Sequence, residues 1–338
     1  MEEIHMSNTL DFVIKNGVIS ECYGPEGQVY GLEGDIVVPE GVREIRETLS
    51  VFWFSCRSVV LPNTVKRIGK TTFANNENLE KVHLPDGIKK IGKSAFWGCK
   101  NLSDIVVPPN TEIEEGAFFN CRKLADDDGF LIFNGTLFNY YGHQKTLVIP
   151  DNVTAISNLA FMFSGAKTII VHDKVNKIAE DAFAHSAALE TVILPASMTT
   201  ITKRTFDHSF GLKCAVLPGV KLDQFKEVRL SPAAAEGFLA HNDAFTDLDI
   251  IQDYMLYISE NKKRYLPTLF SKDLIHCIDV LAQLGKITPR NIDDFLDGAQ
   301  AANAVRCVAF LLDWKNKNVS PAQIEKRQKK QQEKLFDL

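Results

Sequence analysis

No stretch of this 338-residue sequence approaches the roughly 20 consecutive apolar residues that a membrane-spanning helix needs. Its opening, MEEIHMSNTL, is acidic and has no apolar core, so it does not read as a signal peptide. The seven cysteines include no C-x-x-C pair, and an odd number suits buried thiols in a reducing compartment better than a disulfide framework. Lys and Arg (38) do not exceed Asp and Glu (43), and a net charge of −5 is too mild for broad electrostatic capture of nucleic acid or an anionic membrane. These deficits predict a cytoplasmic protein with neither nucleic acid nor membrane as a partner.

Chemical signatures are missing as well. G-x-S-x-G, H-E-x-x-H, G-x-x-x-x-G-K-[ST] and G-x-G-x-x-G do not occur. Gly24, Gly27, Gly31 and Gly34 cluster without a strand–turn–helix setting and read as a loop. Asp126-Asp127-Asp128-Gly129 lacks the alternating ligands and distal Glu of a calcium loop, which favours a turn. His83, His172, His185 and His208 are assigned to different faces of the chain, with no metal-ligand spacing among them. No catalytic residue, cofactor or metal is therefore expected, and the chain is read as non-enzymatic. The C-terminal third does offer Asp293, Asp294 and His276, but in no converging arrangement.

What the sequence does have is a repeat. Hydrophobic residues are 45% and charged residues 24%, ordinary for a globular chain, and the length fits two domains. An aliphatic-Pro pair falls at Val38-Pro39, Leu61-Pro62, Leu84-Pro85 and Val107-Pro108, each 23 residues after the last. It returns at Ile149-Pro150, then at Val171-His172, Leu194-Pro195 and Leu217-Pro218, at spacings of 22, 23 and 23. Ile45, Ile68, Ile91, Ile156, Ile178 and Ile201 follow the Pro position by six residues, with Ile113 one residue early. Phe73, Phe96, Phe161, Phe183 and Phe206 follow it by eleven, with Phe118 one early. Leu79, Leu102, Leu189 and Leu212 close the unit. Several positions sharing one period predict a solenoid, because one such unit cannot bury its own apolar face and stacked units can. A strand ending at Pro places the missing N–H where the ladder stops.

Segments 84–110 (LPDGIKKIGKSAFWGCKNLSDIVVPPN) and 61–85 (LPNTVKRIGKTTFANNENLEKVHLP) resemble BspA-type leucine-rich repeats, the Treponema pallidum class. The family pattern is approximately L-P-x-x-V-x-x-I-G-x-x-A-F-x-x-C-x-x-L-x-x-V-x. The resemblance covers residues 36–220 and implies a β-rich, right-handed leucine-rich-repeat solenoid. It also implies a surface or interaction role, without specifying any chemistry. Many members are exported, whereas the leader expected for export is not seen here. The first unit departs from the pattern, with Ser50 where Phe is expected and Phe52 and Phe54 displaced, as suits an edge repeat. Cys99 and Cys121 fall where the family also uses Cys; a stacked pair of small buried side chains is favoured there over a disulfide.

Two hairpins flank and interrupt the array. DFVIKNGVISECYG (11–24) and GFLIFNGTLFNYYG (129–142) share Phe, Ile and Asn-Gly in register, and Asn-Gly between alternating apolar residues signals a type I′ turn. The first predicts a cap over 1–35, which covers an open strand edge. The second predicts an insert at about 126–145 that joins two blocks of repeats, with Tyr140-Tyr141 as a weaker candidate binding loop. After Pro218 the pattern turns helical, giving an all-α domain over 225–318 with helices near 232–241, 247–260, 265–270, 271–284, 289–301 and 303–315. Its short helix pairs weakly resemble ankyrin-like units. Residues 319–338 read as a charged tail.

One feature points to a site. In a strand x-x-V-x-L-P, the residue two before the Pro faces outward. Those residues are Val60, His83, Val106, Val148, Ile170, Ile193 and Val216, six of them β-branched aliphatics. The outward residue two further back is Ser58, Lys81, Asp104, Thr146, Thr168, Thr191 or Cys214, mostly polar. At ~4.8 Å per strand the aliphatic strip is expected to run about 30 Å. It reads either as strand formers pairing across the ladder or as an exposed surface for a protein partner. The expectation is an interaction module that contacts an unidentified protein through this face, with the helical domain as a second docking surface. The alternative is a homo-oligomer assembled through the face or an open repeat end.

Overall fold

Phenylalanines one repeat apart lie face to face. In the computed structural model of the protein, ring centroids are 5.1 Å apart for Phe73 and Phe96, 5.2 Å for Phe96 and Phe118, 5.1 Å for Phe161 and Phe183, and 5.5 Å for Phe183 and Phe206. All six rings are buried. The structure describes residues 2–6, 11–23, 33–46, 55–227 and 229–322. Most of the glycine cluster and the atypical stretch around Ser50, Phe52 and Phe54 lie outside the described residues, as does most of the tail. The chain divides into two units, residues 1–212 and 213–338.

In the first unit, β1 (Glu2–Met6), β2 (Asp11–Lys15) and β3 (Val18–Tyr23) pair antiparallel. The repeats then contribute strands two at a time: β4 (Glu33–Val37) and β5 (Glu44–Ile45), β6 (Ser55–Val60) and β7 (Arg67–Ile68), β8 (Lys81–His83) and β9 (Lys90–Ile91), β10 (Asp104–Ile105) and β11 (Glu112–Ile113). The pre-Pro strands form a parallel sheet in the order β10-β8-β6-β4, and the short strands continue from the hairpin as β1-β2-β3-β5-β7-β9-β11. Register places Ile45, Ile68, Ile91 and Ile113 side by side and stacks Val59, Val82 and Ile105 into the core.

The insert restarts the array. β12 (Phe130–Phe133) and β13 (Thr136–Tyr140) form a hairpin whose second strand pairs parallel with β15 (Ala155–Ile156) in the next block, between β14 (Thr146–Val148) and β16 (Thr168–Ile170) in sequence. β17 (Lys177–Ile178) and β18 (Thr191–Ile193) follow, giving ladders β12-β13-β15-β17 and β14-β16-β18. Both hairpins turn on Asn-Gly with positive φ at both residues: 54° and 77° at Asn16-Gly17, 48° and 74° at Asn134-Gly135. That is the type I′ geometry the dipeptide favours. The Gly17 carbonyl accepts from the N–H groups of Arg43 and Glu44, and the Gly135 carbonyl from those of Thr154 and Ala155, so each hairpin hands its ladder to the following repeat in the same way. Phe133 and Phe138 of the insert pack on Phe118 at 4.7 and 6.0 Å, continuing the aromatic stack past the last repeat of the first block.

Two polar positions recur in the turns. The residue two after the stacked Phe has positive φ at Asn75, Gly98, Asn120, His185 and His208, where Asn and Gly are the least strained choices. The residue three after it donates to a buried carbonyl one repeat back: Cys99 Sγ to Phe73 O and Cys121 Sγ to Phe96 O, both at 3.0 Å, and Ser209 Oγ to Phe183 O at 2.6 Å. Such a buried carbonyl would otherwise be left without a partner. Cys99 and Cys121 are free thiols.

The second unit holds β19 (Cys214–Val216), α1 (Leu222–Glu227), α2 (Ser231–Ala240), α3 (Leu248–Glu260), α4 (Lys262–Ser271), α5 (Ile275–Gln283), α6 (Ile292–Ala301) and α7 (Val305–Asn318). α1 has no counterpart in the sequence reading. The helix expected at 265–270 lies inside α4, which starts three residues earlier and carries Pro267 in its second turn, and α5 lies inside the expected 271–284 but begins four residues later. A proline in the second turn removes one i→i−4 bond near the helix start, leaving the remaining turns intact. Asp247 caps α3, accepting from the N–H groups of Asp249 and Ile250.

Candidate functional site

The strand face is organised in two short strips. In the first block Val37, Val60 and His83 pair side by side, and Val106 follows beside His83 one residue beyond the paired stretch of β10. Val37 is 69% exposed, Val60 38% and Val106 77%, and His83 is exposed. Val37 extends the strip by one strand; it stands two before Pro39, one period before Val60, and carries the same signal. In the second block Val148, Ile170 and Ile193 pair side by side, with Val148 57% exposed and the two isoleucines half-buried.

Two features depart from the expected single strip. β10 and β14 belong to different sheets, so the ladder is interrupted between Val106 and Val148 by the hairpin insert. Val216 does not belong to the exposed set: it is fully buried. Within its unit, α2 lies against β19 so closely that a Cβ on Gly237 would collide with the Ala215 carbonyl. Ala233, Ala234 and Ala235 of the same helix are buried too. A helix with such small side chains sits nearly backbone to backbone on the strand.

A polar column borders the first strip. Asp35, Ser58, Lys81 and Asp104 stand in register. Arg57 Nη2 donates to Asp35 Oδ2 at 2.9 Å, Ser58 Oγ donates to Asp35 Oδ1 at 2.8 Å, and Lys81 Nζ lies 2.5 Å from Asp104 Oδ2. The hydrogen bonds from Arg57 and Ser58 hold the Asp35 carboxyl below the usual carboxylate range. These charges are mutually satisfied and exposed, so they contribute little stability. They give the apolar strip a hydrated edge.

The other candidates resolve differently. Tyr140 is fully buried, its hydroxyl accepting from Gln144 N–H, and Tyr141 is half-buried against Phe163 and beneath the Arg122 guanidinium, so this pair serves packing rather than a binding loop. Asp126 Oδ1 accepts from Phe130 N–H at 2.8 Å, which makes the aspartate run the turn into β12. His185 and His208 do not lie on different faces. They occupy the same position in consecutive repeats and stack at 4.6 Å, with Asp207 Oδ1 3.0 Å from His208 Nδ1 and the 89% exposed Phe210 alongside. Their common spacing from Phe183 and Phe206 is the signal that would have paired them. Among the described residues no three His, Cys, Asp or Glu side chains converge to hold a metal ion. No helix among them is long and apolar enough to cross a membrane.

This geometry can be set beside known proteins. No curated protein matches the sequence. Among solved structures, a leucine-rich repeat protein from Eubacterium ventriosum is 17% identical, covering 65% of this chain and 74% of its own, with a TM-score of 0.39. The T. pallidum leucine-rich repeat protein is 24% identical over 48% of this chain and 69% of its own, with a TM-score of 0.29. The pneumococcal vaccine antigen PcpA is 17% identical over 65% and 80%, with a TM-score of 0.35. The family model of the BspA-type leucine-rich repeat region matches in six copies over residues 34–127 and 132–227. With more than half of its length matched, and with the stacked Phe column and parallel strand ladders in place, the chain belongs to the BspA-type leucine-rich repeat family.

Proposed function

We propose that this protein is a recognition module whose strand face binds another protein. Repeat proteins of this family are generally interaction or structural modules, and the strand face is the part of this one that looks built for contact. The observation that carries the reading is the alignment of Val37, Val60 and Val106 with one another, and of Val148 with Ile170 and Ile193, on the outward side of parallel ladders. Strand propensity accounts for valine and isoleucine in a ladder, but four exposed valines and two half-buried isoleucines gathered in rows, with a hydrated edge of Asp35, Lys81 and Asp104, have the composition of a contact core and its rim. The two strips offer a pair of apolar footholds separated by the insert.

The test is capture by the intact protein beside the Val106→Asp, Val148→Asp double variant, with bound proteins identified by mass spectrometry. Both positions are exposed, so the circular dichroism spectrum is expected to stay the same. A partner that binds the intact chain and loses at least about tenfold in affinity for the variant supports the reading. Equal capture by both proteins overturns it. A concentration-dependent mass in light scattering that the double variant abolishes would instead assign the face to self-association.

A further inference from the structure

We propose that the C-terminal unit carries a docking groove of its own between α4 and α6, and that its occupant is a helix of another protein, apolar along one side and acidic at one end. The groove is open and holds about 510 Å³. Leu266, Pro267 and Phe270 line it from α4, and Phe295, Gly298 and Ala301 from α6. These positions recur at steps of three and four, so each helix turns one continuous stripe toward the space. Phe270 and Phe295 meet edge to face, 6.3 Å apart, and both are buried, which makes a firm floor. Gly298 makes room for the Phe270 ring, which occupies the place its Cβ would take, and Ala301 is small enough to let a third helix come close. An apolar trough between two helix faces is the form that takes an amphipathic helix.

The charge of that helix follows from the rim. Lys262 and Lys263 line one end of the groove, exposed and without an ion-pair partner among the described residues. They sit in the first turn of α4, which contains no acidic residue and no side-chain cap; the Asn261 side chain donates to the Tyr257 carbonyl instead. Two lysines at the positive end of a helix dipole are poorly placed unless an anion arrives to meet them. Arg264, the next cation, is already engaged by Glu236. Asp294, the carboxylate among the lining residues, stands on the α6 side, so acids on the partner are directed to the α4 side. Helix α7 of a second copy is a poorer fit: Val305 and Leu312 are exposed on it, but its first turn holds no acid and the Lys315 and Lys317 of its last turn are paired with Asp293 and Asp313, so it has no acidic end to offer the lysines.

The experiment uses the full chain and a fluorescein-labelled synthetic helix of about 15 residues, enough for four turns. The probe has leucine and alanine along one side and glutamates in its first turn; a control probe carries lysines in their place. Fluorescence anisotropy is expected to show binding of the acidic probe and at least about tenfold weaker binding of the lysine probe. Ala301→Arg, at an exposed position, fills the groove and is expected to weaken the acidic probe by a similar factor. Lys262→Glu with Lys263→Glu is expected to reverse the preference between the two probes. Binding of neither probe, equal binding of both, or binding unaffected by Ala301→Arg overturns the proposal. A doubling of mass in solution that Ala301→Arg abolishes overturns it too, assigning the groove to a second copy.

Discussion

Phe96 lies 5.2 Å from Phe118 between ring centroids, with 5° between their planes, and Phe73 closes its other side at 5.1 Å. A ring held on both faces leaves a cavity that neither neighbour can fill without abandoning its own stack. Phe96→Ala is therefore expected to cost about 3–5 kcal/mol. Phe210→Ala, at an 89% exposed ring, is expected to stay within about 0.5 kcal/mol of the parent. Urea unfolding followed by circular dichroism compares the two; a loss under about 1 kcal/mol for Phe96→Ala would mean that the Phe column does not hold the repeats together.

The thiols beside that column are predicted to be inert in the native protein. Burial pushes the Cys99 thiol up to about 12 and Cys121 well above the ordinary range. At pH 8 neither is expected to react with iodoacetamide until urea is added, because the thiolate is the reactive form. The linkage has a definite sign. The folded pKa lies above the unfolded one, so the unfolded chain loses its protons first as pH rises, and stability falls between about 9 and 12. Cys99→Ser with Cys121→Ser keeps a hydroxyl donor for the Phe73 and Phe96 carbonyls, and is expected to reduce that alkaline loss to the part carried by the other buried thiols, Cys56, Cys277 and Cys307, which burial also pushes up to about 12.

Much of this architecture is legible in the chain because the solenoid repeats its chemistry. Each core position recurs at 22 or 23 residues, so Ile68, Phe73 and Leu79 announce their partners in the next unit, and Asn-Gly announces both hairpins through its tolerance of positive φ. Long-range pairing is where local pattern gives out. A spacing of 42 between Pro108 and Pro150 reveals an insert but cannot say whether the strands on either side still pair, and they do not. Val216 has the same sequence surroundings as Val60, and only the placement of a small-faced helix, α2, separates a buried residue from an exposed one. The helix expected at 265–270 already spans Pro267, but the start of α4 three residues earlier carries no side-chain cap to announce it.

Asp273, in the turn between α4 and α5, is predicted to act as a remote cap for α7. Its Oδ1 accepts from Cys307 N–H at 2.9 Å, and its Oδ2 from the N–H and Nε of Arg306, both at 3.1 Å. Burial opposes ionisation of this carboxyl, but the hydrogen bonds from Cys307 and Arg306 outweigh it and hold the pKa at about 2. The folded pKa is thus below the unfolded one, so the stabilisation is present above about pH 4 and is lost as pH falls toward 2. Asp273→Ala is expected to cost about 1–2 kcal/mol at pH 7, as loss of a helix cap does. It should also remove that acid-side slope. Thermal unfolding measured from pH 7 down to 2 checks both, and an unchanged slope would show that the cap carries no linked proton.

Val106 and Val216 stand at the same place in their repeats, so the same substitution separates surface from core. Val106→Asp puts a carboxylate on a side chain that is 77% exposed and is expected to change stability by less than about 0.5 kcal/mol. Val216→Asp buries a carboxylate beneath α2, and is expected to cost at least about 3 kcal/mol or to abolish folding of the C-terminal unit. Expression, far-UV circular dichroism and urea midpoints of the two variants decide the matter. If Val106→Asp proves as damaging as Val216→Asp, the first strip is covered in solution and is not the proposed contact surface. If Val106→Asp is silent, the side chain contributes nothing to fold stability, as the proposed contact role of the strand face requires.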